Sequence, residues 1–175
     1  VHPPNLHCGD GLRSLGRELG TFDVVVTNPP FLSARNLPSV QLNWLKETYP
    51  SAWRDLCTCF IERAVMLARP QGHVGILAMQ SFMFTAGFER LRVELGDSVA
   101  IERIAHLGPG VFEVGNPGTL QTAGIVLRKE PDACRRLAQT VSAHRLVDAP
   151  RNLRHGRRSR ALAIEPRALG NHGAR

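Results

Sequence analysis

Apolar positions along the chain fall into two kinds of run. Short apolar-rich segments at Phe22–Thr27 (FDVVVT), His73–Met79 (HVGILAM), Ile101–Leu107 (IERIAHL) and Thr122–Arg128 (TAGIVLR) predict strands. The first is continuous and β-branched, as expected of a strand covered on both faces. Pro29 and Pro30 end it, because proline cannot donate to a ladder. Other segments follow a helical period. Trp53, Leu56, Cys57, Phe60, Ile61, Ala64, Val65 and Ala68 predict a helix from about Trp53 to Ala68, stopped by Pro70 and Gly72. Phe84, Phe88, Leu91 and Leu95 predict a second helix, with Thr85 as a cap. A short apolar stretch ends at Asp10, and Gly108 to Gly118 reads as a loop. The alternation implies an α/β sheet with helices on its faces. No helix precedes the last strand, so it is expected to pair antiparallel.

Composition adds limits. The 175 residues suit one domain, and 43% hydrophobic content is ordinary for a globular chain. No apolar run approaches the ~18 residues of a membrane span, and no signal-peptide pattern opens the chain. Cys8, Cys57, Cys59 and Cys134 are too few for a disulfide scaffold, which points to reduced thiols and a cytoplasmic protein. A first residue of Val rather than Met suggests a fragment.

The formal charge of +7 invites a nucleic-acid reading, but it is unevenly placed. Residues 151–175 hold seven Arg and one acid, so the remaining 150 residues carry only +1. Two readings of the tail stand: an arm that binds DNA phosphates, or an irregular terminus. The expected division is a catalytic part over 1–130 and an irregular, Arg-rich part over 131–175.

Candidate chemistry sits at Asn28-Pro29-Pro30-Phe31, directly after a strand. Ligands of open α/β sheets bind at such carboxyl ends. The proline carbonyls and the Asn28 amide oxygen are acceptors, and Phe31 offers a flat apolar face. Together they suit a planar base with an exocyclic amine.

These residues resemble the Asp/Asn-Pro-Pro-Tyr/Phe motif of S-adenosylmethionine-dependent amino-methyltransferases, in the Asn form typical of N6-adenine DNA methyltransferases. The acidic GDGL turn at Gly9–Leu12 lies ahead of it, and a stretch running from YPSAWRDL to QSFMF follows. FERLRVEL, HLGPGVFE and QTAGIVLRK then continue in the order of large adenine-specific enzymes. The resemblance covers roughly residues 5–129 and is greatest to BREX-type phage-exclusion and single-chain restriction–modification methyltransferases. It implies the C-terminal part of a Rossmann-like methyltransferase sheet, of family order 3-2-1-4-5-7-6, with an antiparallel last strand.

It further implies that double-stranded DNA presents a flipped adenine. Asn28 and the Pro29 carbonyl would accept its N6 hydrogens, Pro30 would fix the turn, and Phe31 and Phe112 would pack on the base. Asp10, Gly11 and Leu12 would meet the adenine of S-adenosylmethionine. The sulfonium is itself the activated donor, so no metal is called for. Asp10 also reads as an ordinary Asp-Gly turn residue, and Phe112 as a loop residue plugging the core. Gln80 follows a strand end and reads as either a site residue or a loop cap. Cys57 points into the predicted helix stripe and Cys59 away from it, so they do not converge on a metal. His73 and His106 read as structural.

The family's Gly-rich cofactor turn and ribose-binding acid have no room before Asp10. FDVVVT is therefore expected at an exposed sheet edge. The chain reads as a catalytic half whose partner is a cofactor-binding half or another defence-system subunit. Rival readings are methylation of cytosine N4 or protein glutamine, and a non-catalytic remnant or DNA-binding module.

Overall fold

The computed structural model describes residues 9–13, 21–108, 121–145 and, for the backbone alone, 160–164. In chain order the elements are β1 (Phe22–Thr27), α1 (Ser39–Thr48), α2 (Leu56–Leu67), β2 (Ala68–Met79), α3 (Glu89–Ser98) and β3 (Val99–Gly108). β4 (Thr122–Lys129), α4 (Ala133–Ala138), β5 (Val141–Arg145) and β6 (Arg160–Ile164) follow. One six-stranded sheet has the order β1-β2-β4-β3-β5-β6. β1 runs parallel to β2, and β4 lies antiparallel between β2 and β3. Both the α/β class and the antiparallel β4 match the sequence expectation. Within 131–175, where the pattern predicts no regular element, α4, β5 and β6 are described, and β5 pairs parallel to β3.

α2 is the central helix. It starts three residues later than its apolar stripe suggests, because Asp55 caps it by accepting from the Cys57 amide at 2.9 Å. It is buried along nearly every side, including Leu56, Cys57, Cys59, Ile61, Ala64 and Val65. Cys59 is therefore inside rather than turned away, since the turn before α2 covers it and its thiol reaches the Ala52 carbonyl at 3.5 Å.

Pro70 and Gly72 do not end a helix in isolation; they lie within β2. Gln71 adopts a positive φ of 65°, and the β1–β2 register shifts between Phe22 and Val24. A Cβ on Gly72 would stand 2.8 Å from the Arg69 carbonyl and 2.9 Å from that of Phe22, so this bend requires glycine.

The second predicted helix is split. Short 3₁₀ turns occupy Gln80–Met83 and Ala86–Phe88, and α3 begins only at Glu89. Arg92 holds this entry by donating to the carbonyls of Phe82 at 2.9 Å and Thr85 at 2.7 Å. Phe84 consequently leaves the apolar stripe and is 74% exposed, and Thr85 makes no side-chain cap.

α2 covers one sheet face, where Val74, Ile76, Ala78, Ala123, Ile125 and Leu127 join the core. The other face holds a shallow apolar concavity of about 650 Å³ lined by Val26, Gly75, Leu77, Gly124 and Val126. β1 is thus not buried on both faces, contrary to its composition. It lies at the sheet edge, with Val24 59% and Val26 77% exposed.

Candidate active site

The parallel strands β1, β2 and β3 bring their carboxyl ends to one edge of the sheet. Asn28 follows β1 there and is exposed, while Pro29 beneath it is buried and Pro30 exposed. Among the described residues no hydrogen bond ties down the Asn28 amide, which leaves its oxygen available as an acceptor. Phe31 is half-buried and packs against the main core. The exit from this turn is clamped to the turn before α2. The Leu56 amide donates to the Leu32 carbonyl, the Ala34 amide donates to the Arg54 carbonyl, both at 3.0 Å, and Ser33 bridges Asp55. Burial holds the Asp55 carboxyl above its ordinary range, against the amides that bond it.

Asp10 forms a second, separate turn. Its Oδ1 accepts from the Leu12 amide at 2.9 Å, and its Oδ2 lies 3.4 Å from the Arg13 Nε. The Arg13 guanidinium in turn stacks on Trp44 at 4.1 Å. Leu12 is buried, and its carbonyl accepts from the Tyr49 hydroxyl at 2.9 Å. A Cβ on Gly11 would stand 3.1 Å from the Phe60 ring, so the turn sits directly on α2. The turn reading of Asp10 therefore holds for one oxygen. The side chain is 48% exposed.

The other candidates separate clearly. Phe112 lies outside the described residues. Gln80 donates its backbone amide to the Gln121 carbonyl at 3.0 Å, which joins the β2 end to the start of β4. Burial pushes the Cys57 and Cys59 thiols up to about 12, so both are protonated and inert. Among the described residues no group of three or more His, Cys, Asp or Glu is placed to hold a metal. His73 sits 3.5 Å from Glu102, and the His106 Nε2 is buried without a hydrogen-bond partner among the described residues. No described helix is long and apolar enough to cross a membrane.

One feature of this edge escapes the sequence pattern. Lys46 and Arg54 stack on the Trp53 ring, at 5.0 and 4.7 Å from its centroid. The helical period places Trp53 in the apolar stripe of α2, and the helix start after Asp55 releases it. Lys46 lies seven residues before Trp53, in α1, and an Arg next to a Trp is too common in sequence to signal such stacking.

A family model described as Eco57I restriction-modification methylase matches residues 9–112. The chain belongs to that family. This span of the Eco57I-type methylase chain holds the Asp10 turn, the Asn28–Phe31 turn, α2 and β2. The adenine-specific methyltransferase PglX of Lacticaseibacillus casei (strain Zhang) is 29% identical over 117 residues, covering 66% of this chain and 10% of that protein. The adenine-specific methyltransferase BrxX of Escherichia coli O9:H4 (strain HS) is 30% identical over 107 residues, covering 61% and 9%. The chain thus spans about a tenth of the length of these relatives. The type I restriction enzyme EcoKI M protein superposes with a TM-score of 0.54 at 20% identity, covering 78% of this Eco57I-type chain and 28% of that one. That likeness shows the fold, a partial Rossmann-like methyltransferase sheet.

Proposed function

We propose that this chain carries the methyl-accepting end of an S-adenosylmethionine-dependent enzyme that methylates N6 of adenine in DNA, within a restriction–modification or phage-defence system. The observation that carries the reading is Asn28. It stands at a strand's carboxyl end with its amide unbonded among the described residues, above a buried Pro29 and beside the half-exposed ring of Phe31.

The amine of adenine is a poor nucleophile because its lone pair is spread into the ring. Asn28 Oδ1 and the Pro29 carbonyl accept the two N6 hydrogens and draw that lone pair back onto nitrogen. Phe31, and Phe112 as the motif order implies, hold the flipped ring by stacking, worth roughly 1–3 kcal/mol per base. Pro30 fixes the direction of the turn. Asp10 accepts from the cofactor's adenine amine, and Gly11 and Leu12 shape that turn. S-adenosylmethionine, when bound, supplies the methyl group on a positively charged sulfur. On transfer the N6–carbon bond would form as the carbon–sulfur bond breaks, the electron pair would stay on sulfur to leave the neutral thioether, and N6 would lose one proton, which Asn28 or Pro29 would guide toward solvent.

The edge position of β1 bears on partners. Phe22, Val24 and Val26 are exposed on a strand with one ladder partner among the described residues. We read this edge as the place where a further strand of a cofactor-binding segment pairs. Tight binding of S-adenosylmethionine by the 175-residue chain alone, measured by calorimetry, overturns that part.

Transfer of labelled methyl, followed by digestion of the DNA to nucleosides, tests the reaction. N6-methyladenine is the expected product. Label on cytosine N4, or on protein glutamine, replaces the reading.

A further inference from the structure

We propose that Lys46 and Arg54, stacked on Trp53, form a clamp for a DNA backbone phosphate at the rim of the Asn28–Phe31 turn. The proposal rests on the DNA reading above and adds the residues that would hold the strand. Three observations converge on it.

The first is position. The Arg54 carbonyl accepts from the Ala34 amide, which ties its backbone to the loop leaving β1. Its side chain lies against the loop leaving β2, where a Cβ on Gly87 would stand 3.2 Å from Arg54 Cδ and 3.4 Å from Nε. Arg54 therefore sits where two carboxyl-end loops meet. Ala34 is three residues from Phe31, at most about 10 Å, and the Arg54 backbone is one hydrogen bond further, so it lies within about 15 Å of the motif.

The second is preorganisation. Lys46 and Arg54 share one indole ring, and both are exposed. Stacking fixes two long side chains whose rotamers would otherwise have to be ordered on binding. Gly87 leaves room for the guanidinium, and a Cβ there would press on Arg54 Cδ and Nε closely enough to make the side chain give way slightly.

The third is charge. Among the described residues neither cation forms an ion pair, as is also true of Arg35 and Arg103, but Lys46 and Arg54 alone share one ring. Two like charges held on one ring repel each other, and a bound anion relieves that repulsion. A flipped nucleotide leaves its flanking phosphates at the pocket rim, where a paired cation site fits.

Binding of the full chain to a short duplex with one A·C mismatch, followed by fluorescence anisotropy across a salt series, tests this. The variant Lys46→Gln/Arg54→Gln is expected to weaken binding on the order of tenfold. The slope of log K against log salt should flatten by about 0.9 for each phosphate that the variant no longer neutralises. Arg90→Gln removes a cation already paired with Glu94 at 2.8 Å and should leave the slope unchanged. An unchanged slope in the double variant, or no duplex binding by the parent, overturns the proposal. An unchanged slope with loss of binding to a poly-Glu peptide assigns the pair to an acidic protein surface instead. 2-Aminopurine at the mismatch reads base flipping separately. A flattened slope with no fluorescence rise in the parent keeps the clamp and removes the flipped-base reading. A rise in both proteins with equal slopes does the reverse.

Discussion

At one end of the sheet the polar groups answer one another; at the other they are left facing outward. Arg128, at the amino-end edge of β2 and β3, donates to Glu102, Gln71, Glu130 and Gln139. Gln71 donates back to Glu130 at 2.9 Å, Arg136 reaches the Glu130 carbonyl at 2.6 Å, and Lys129 reaches that of Ala68 at 2.9 Å. Glu130 is fully buried, and its bonds from Gln71, Asp132 and Arg128 hold its carboxyl below the ordinary range. Such a network bolts β2, β3 and β4 together and has no acceptor to spare. The carboxyl-end edge is the opposite case. Asn28, Lys46 and Arg54 hold donors and acceptors that the described residues do not use. Stability is concentrated where polar groups are satisfied, and binding capacity where they are not.

That contrast can be broken from either side. The largest effect belongs to Asn28→Ala. It should lower methyl transfer to DNA on the order of 10²–10³-fold, the usual cost of losing one transition-state hydrogen-bond partner, with no change in melting temperature. A variant that keeps full transfer removes Asn28 from the chemistry.

Arg128→Ala is the mirror test. It strands Glu130 in the interior and should cost roughly 3 kcal/mol of unfolding free energy in a denaturant titration, with DNA binding per folded molecule unchanged. A loss under about 0.5 kcal/mol means the network is not what joins the strands.

Glu62 lies between the two ends, on α2 beside Glu94 of α3. Burial first, and the Glu94 charge second, push its carboxyl up to about 7, and its Oε2 has no hydrogen-bond partner among the described residues. A carboxyl raised in the folded state destabilises the fold once ionised. Its contribution is fully present below the unfolded value of 4.5 and is lost as pH rises through about 7. Glu62→Gln should therefore stabilise the protein by about 1–2 kcal/mol at alkaline pH and leave it unchanged in mild acid. Melting curves at both pH values check the sign.

The smallest effect is expected at the open edge. Val26→Lys places a charge on the exposed strand and should alter folding stability by less than about 0.5 kcal/mol. It should reduce self-association, since a charged edge strand resists edge-to-edge pairing. Analytical ultracentrifugation of the two proteins compares them.

Much of this was legible in the chain. FDVVVT matched β1 residue for residue, because a β-branched run closed by two prolines admits few alternatives. The α2 stripe was correct in type and late in start, since apolar period does not report where a capping Asp55 takes over. The Phe84 stripe misled. Its 4-3-4 spacing suits a helix, yet Arg92 captures the carbonyls of Phe82 and Thr85 and holds two 3₁₀ turns instead. The motif at Asn28–Phe31 was visible as a tetrapeptide, and the structure added its exposure and its clamp to Arg54. Phe112 was also a candidate in sequence and falls outside the described residues.

The sequence alone determined the strand and helix types, the motif order and the turn chemistry, because hydrophobic period, proline and capping residues act over a few neighbours. The motif order also led to an edge position for β1, and the sheet shows it there despite an interior composition, since burial depends on which strands stand beside it. Two things came only with the tertiary structure. Cys59 came inside although its helical angle pointed away, since a helix can be covered on more than one side. Lys46 and Arg54 met across Trp53, since stacking depends on where separate segments are brought together.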